Sequence, residues 1–253
     1  MSSDPITEVL RAEHTAQAIQ ARLSSGTRHS YLRDFVYGGI DGAVTTFAVV
    51  SGVAGAGLSS GVVIVLGLAN LVGDGFSMAA SNYLGSKADL QLLQQARRTE
   101  EEHVEKYPEG EREEIRQLLA AKGFKDELLD EAVRTITADK KLWVDTMLQE
   151  ELGLSLDRPN PIRAAVVTFL AFVAIGFLPL IAFLADYMLS AGQLRPFLTS
   201  TILTAVAFFC VGAAKSRFVD DRWYRSGLET LFVGGIAAAL AFAVGLLLRG
   251  VVV

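Results

Sequence analysis

An aspartate stands near the start of GGIDGAVTTFAVVSG, residues 38–52, a run otherwise apolar enough to lie in lipid. At the centre of a membrane helix a carboxylate costs roughly 2.5–3.5 kcal/mol on insertion scales, which makes Asp41 a candidate for ion or proton handling. Helical spacing sets Thr45, Ala48 and Gly52 on the same face. A longer stripe follows at Asn70, Asp74, Ser77, Met78, Ser81 and Asn82, all on one helical face. Serine and asparagine alone are commonly packing glue between helices, but two carboxylates and a thioether on a continuous oxygen-rich face fit a permeation path better. Asp41, Thr45, Asn70, Asp74 and Met78 are its candidate lining.

A second constellation is acidic. Glu100 and His103 are spaced i, i+3, as are Glu111 and Glu114, while Met147 and Glu151 are spaced i, i+4. Each pair shares a helix face, so three helices could converge on divalent cations. Carboxylate and imidazole suit Fe²⁺, Mn²⁺ or Zn²⁺, and a thioether favours a softer ion than Mg²⁺ or Ca²⁺. Glutamate-rich helices are more often solvated faces, and Glu101, Glu102, Glu105, Glu109 and Glu113 can pair with Arg97, Lys106 or Arg112.

These residues need long helices to hold them. Of the 253 residues 51% are hydrophobic and mean hydropathy is +0.36, with the charge concentrated in one place. Apolar windows at 35–56, 58–84, 162–185, 197–214 and 228–248 are each about the ~20 residues that cross a ~30 Å hydrocarbon core. The fold expected is all-α: a polytopic membrane protein with five transmembrane helices and a cytoplasmic three-helix metal-binding insert. Residues 1–30 form an N-terminal amphipathic segment, 31–86 the first two spans, 87–158 the acidic insert and 159–253 the last three spans. Pro179 should kink the third span, and the Gly38/Gly42 pair should let another helix approach closely.

The insert holds twelve Lys or Arg against eighteen Asp or Glu, so it carries the whole chain's negative charge. That argues against a nucleic-acid partner and for cations. It should continue the second span into water as far as Pro108-Glu109-Gly110, then form a helix over about 111–122 and another, broken or whole, over about 126–154. Ile115, Leu118, Leu119, Leu128, Leu129, Val133 and Ile136 could supply a common core. The single Cys210 excludes an intrachain disulfide. The N-terminus lacks the pattern of a signal peptide, and residues 5–24 read as one amphipathic helix lying on the membrane or on its neighbours. Basic residues cluster on alternate loops, which places the N-terminus and insert in the cytoplasm and the C-terminus outside, with a bacterial plasma membrane as the expected location.

The motifs Asp34-Phe35-Val36, Gly38-Gly39-Ile40-Asp41-Gly42, Thr45-Thr46-Phe47, Ser77-Met78-Ala79-Ala80-Ser81-Asn82-Tyr83-Leu84 and Met147 to Leu154 together resemble the vacuolar iron transporter family, over about residues 31–250. The resemblance implies a proton-coupled exporter of ferrous iron, often also of manganese, that is a homodimer with the ion path between subunits. It implies ion-handling roles for Asp41 and Met78, and metal collection by Glu100, Glu111, Glu114, Met147 and Glu151. The metal is then cargo, with Co²⁺ and Zn²⁺ as further candidates, and no prosthetic group or enzymatic activity is expected. Two positions depart from the family pattern: His103 stands where a glutamate is usual, and Leu148 stands beside Met147. A register through Glu101 and Glu105 would restore an all-carboxylate pair. Three other readings compete: a passive divalent-cation channel or magnesium transporter, a membrane-anchored ferritin-like di-iron ferroxidase, and a metal sensor. The ferroxidase needs a second Glu-x-x-His, and neither His14 nor His29 follows a glutamate at that spacing.

Overall fold

The computed structural model describes residues 5–24, 30–189, 195–219 and 221–252. Residues 1–30 and 31–253 are separate compact units. The first holds α1 (Pro5–Glu13) and α2 (Ala16–Ser24) rather than one continuous helix. The break has a local cause: the Thr15 hydroxyl accepts from the Ala18 amide and starts a new helix.

The second unit runs α3 (Leu32–Ala56), α4 (Ser60–Lys106), α5 (Pro108–Ala121), α6 (Asp126–Thr137), α7 (Lys140–Glu150), α8 (Pro161–Gly176), α9 (Leu178–Leu189), α10 (Pro196–Val219) and α11 (Trp223–Val252). Four of these, α3, α4, α10 and α11, are long and apolar enough to cross a membrane, and α8 with α9 makes a fifth span bent by 48°. The bend falls at Phe177, two residues before Pro179, whose ring has no amide hydrogen for the helix ladder. The Pro179 carbonyl instead accepts from the buried Ser200 hydroxyl of α10.

α3 lies at the centre, against α8, α11, α10 and α4. Two glycine seams allow this. A methyl group on Gly38 or Gly42 would collide with the Thr168 or Phe172 carbonyl of α8, and one on Gly55 with the Phe242 carbonyl of α11. Around α3 the bundle buries Phe47, Val50, Leu71, Phe172, Leu180 and Phe208.

With 47 residues α4 is about 70 Å long, more than twice the hydrocarbon thickness. Its second half is the shaft of the acidic insert. Three further helices close around the shaft, because the stretch from 126 onward, expected as one helix broken or whole, is broken at Ala138. There the Asp139 carboxylate accepts from the Leu142 amide and caps α7. The insert has its own core of Leu93, Val104, Ile115, Leu119, Val133, Trp143, Val144, Met147 and Leu148. Leu128, an expected core residue, is instead 60% exposed.

Candidate metal-handling sites

In the bundle, α3 and α4 run antiparallel, so the two polar stripes meet. The Asn70 amide of α4 donates to both Thr45 Oγ1 and Thr46 Oγ1, at 3.2 Å each, and Thr45 Oγ1 in turn donates to the Asp41 carbonyl at 2.9 Å. Asp41 is half-buried, and Asp74 is close enough to act on it through its charge. Met78 packs partly buried against the bundle core, while Asp74, Ser77 and Ser81 are exposed along α4. The structure therefore brings Asp41, Thr45, Asn70 and Asp74 together and sets Met78 one turn beyond Asp74.

A further group sits closer to the insert. Asn82 Nδ2 donates to Asp34 Oδ1 at 2.8 Å and to Thr168 Oγ1 at 2.7 Å, and Ser86 donates to Asn82 Oδ1. Asp34 had stood out in the sequence only as part of a motif. Its position seven residues before Asp41, on the same helix face, is the signal that could have found it. Thr168 gave no signal, since its partners lie on other helices.

In the insert, Glu100 of the shaft and Glu111 of α5 are buried, and His103 stands exposed beside them. One ligand atom from each of the three lies within 4.8 Å of the others. His103 Nδ1 is 3.4 Å from Glu111 Oε1, while Glu111 Oε2 is buried and has no hydrogen-bond partner among the described residues. Burial, then the neighbouring Glu114 and Glu100 carboxylates, push Glu111 up to about 7, against the pull of His103. Glu151, just past α7, is also raised, by burial first and then by Glu114 and Glu100. Four carboxylates and an imidazole, from α4, α5 and the end of α7, thus act on one another, an arrangement that is costly without a cation.

Other members of the expected set sit differently. Met147 is fully buried in the insert's core, one turn before Glu151. Glu105 is paired with Lys140 and Glu102 with Lys106, so the face through Glu105 is occupied by ion pairs. Arg97 pairs with Asp145 of α7 and not with a glutamate on its own helix.

Taken together, the fold and its two polar sites define a polytopic α-helical membrane protein that carries a carboxylate–imidazole cluster outside its spans. The sequence pattern of the VIT family matches residues 32–246. A vacuolar iron transporter of Toxoplasma gondii is 35% identical over 234 residues, 90% of this chain and 78% of that protein. Vacuolar iron transporter 1 of Arabidopsis thaliana is 31% identical over 245 residues, covering 96% and 93%, and that of Eucalyptus grandis is 32% identical over 219 residues, covering 85% and 86%. The chain belongs to the VIT family, a family of transporters and not of enzymes.

Proposed function

We propose that the protein exports Fe²⁺ from the cytosol across the membrane in exchange for protons, with Mn²⁺, Co²⁺ and Zn²⁺ as further cargo. The observation that carries this reading is that one helix, α4, bears Glu100 and His103 of the acidic cluster as well as Asn70 and Asp74, which meet the Asp41–Thr45 turn of α3, and Met78 one turn further on. Relatives named vacuolar iron transporters support iron as the cargo. The insert lies in the cytosol and gathers ions on Glu100, His103, Glu111, Glu114 and Glu151, with Met147 beneath them in its core. The ion then meets Asp41 and Asp74, whose two negative charges balance its own. A proton arriving from the far side competes for the same carboxylate, weakens the metal's hold and drives release. Each ion leaving is thus exchanged for protons entering, and the metal is cargo with no resident cofactor.

The functional unit is a homodimer. Asp74, Ser77 and Ser81 are exposed on α4 among exposed Val72 and Phe76. A carboxylate facing lipid there is expensive, and a second copy of the same face would cover it.

The test is anaerobic Fe²⁺ flux in proteoliposomes with and without a pH gradient. Flux should follow the gradient and carry protons the other way, and Asp41→Asn should lose at least about tenfold, the scale of removing an ionisable group from a proton-coupled step. Flux that ignores the pH gradient would instead identify a passive cation channel.

A further inference from the structure

The contacts between α3 and α4 form a ladder. Asn70 reaches Thr45 and Thr46, Asp74 acts on Asp41, and Asn82 donates to Asp34. Asp34 lies on the Asp41 face of α3, two turns or about 10 Å nearer the insert. The Asn82 amide bridges it to Thr168 Oγ1 of α8, and Ser86 supports Asn82 from one turn further along α4. Four oxygen-bearing side chains from three helices therefore meet where α4 leaves the bundle.

A carboxylate is a costly way to tie helices together. A neutral acceptor would take the Asn82 amide equally well and would leave no charge to desolvate. Two neighbouring cations face aromatic rings: the Arg33 guanidinium lies 5.3 Å over the Tyr37 ring, and the Lys87 ammonium 5.5 Å over Tyr83. The amide bond engages Oδ1 of Asp34 and leaves Oδ2 outside it. Turning the Asn82 amide by half a rotation exchanges its N–H groups for Oδ1. Asp34, Asn82 and Thr168 then present only oxygen, a donor set for a divalent cation that keeps part of its water.

We infer that Asp34 is a further cation-binding residue of the transport path, the rung that receives a divalent cation from the insert's side and passes it to Asp41. The amide of Asn82 and the cation exchange on the same carboxylate, so the helices stay tied before and after the ion moves through. The inference rests on the transport reading above.

The test uses the full-length protein. Asp34→Asn is isosteric and still accepts from Asn82, so a purely structural Asp34 predicts no change on this substitution. In proteoliposomes the apparent KM for Fe²⁺ should rise about tenfold, the lower end of the cost of altering a metal site, with maximal flux falling by less. Asp34→Glu, which restores the charge, should recover part of the affinity. In detergent, Mn²⁺ binding is counted by electron paramagnetic resonance in a Glu100→Gln, Glu111→Gln background that removes the insert's site. Adding Asp34→Asn should abolish or weaken one class of remaining sites, and an unchanged Mn²⁺ count overturns the inference whatever the flux does. If wild-type protein moves no Fe²⁺, the transport reading fails, and the Mn²⁺ count then decides the role of Asp34 alone.

Discussion

Glu111 holds two opposed tendencies in one side chain. Burial and the Glu114 and Glu100 carboxylates push it up to about 7, while its Oε2 has no hydrogen-bond partner among the described residues. A divalent ion must displace the proton to bind, so metal loading of the insert should weaken as pH falls below 7, by up to about tenfold per unit for one proton released. Calorimetric titration with Mn²⁺ at pH 6 and 7.5, in buffers of different ionisation enthalpy, reads both the affinity and the proton. Stability without metal moves the opposite way. An acid whose folded pKa is raised holds its proton more tightly folded than unfolded, so its contribution is present at low pH and is lost as pH rises from 4.5 towards about 7. That contribution is at most about 3 kcal/mol for this group, so the metal-free protein should melt lower at pH 8 than at pH 6. Glu111→Gln separates the two tendencies. It should raise the metal-free melting temperature and flatten its pH dependence, and it should lower metal affinity at least about tenfold. A variant that both melts lower and binds metal normally would contradict this account of the cluster. The i, i+3 spacing made Glu100/His103 and Glu111/Glu114 legible in the sequence. It did not reveal that Glu105 turns away to Lys140, or that Arg97 is drawn to Asp145, because those partners arrive from α7.

At the scale of elements, close approach decides more than polarity. The Gly38/Gly42 pair was readable as a contact surface, and it brings the α3 backbone against the carbonyls of Thr168 and Phe172. Gly42→Ala should therefore cost about 1–3 kcal/mol or more by overpacking, since the atom in the way is backbone and cannot rotate aside. Gly235 has nothing within 4 Å of a new methyl, whereas Gly234 faces the Phe208 ring. Gly235→Ala should leave the detergent melting temperature unchanged or slightly raised, as Ala is the better helix former. Equal losses for Gly42→Ala and Gly235→Ala would remove the seam from the explanation. The spans were legible because their apolar windows are long. The division at Thr15 was not, and the one at Ala138 stayed open, because each is set by one side chain capping one amide, at Ala18 and Leu142, a signal much weaker than hydrophobic periodicity.

Over the whole molecule, α4 is one continuous helix that joins the acidic cluster to the polar stripe facing Asp41. The returning segment is tied down at two points: Arg158 lies 3.7 Å from Asp89 of the shaft, and the Asn160 backbone N–H donates to the Tyr31 hydroxyl just before α3. Neither tie could be read from sequence, since each joins residues far apart along the chain. A cluster that gathers ions and a path that moves them should fail differently. Removing the gatherer lowers the supply of ions to the path but leaves each crossing unchanged, so a Glu100→Gln, Glu111→Gln protein should show a raised apparent KM for Fe²⁺ with maximal flux largely kept. Asp41→Asn acts on the crossing itself and should lower maximal flux at every Fe²⁺ concentration. Measuring initial anaerobic flux against Fe²⁺ concentration for wild type and both variants, under one fixed pH gradient, separates the two failures. If the cluster variant instead lost maximal flux as severely as Asp41→Asn, with KM unmoved, the insert would be part of the crossing step, and α4 would couple the two sites mechanically instead of merely joining them.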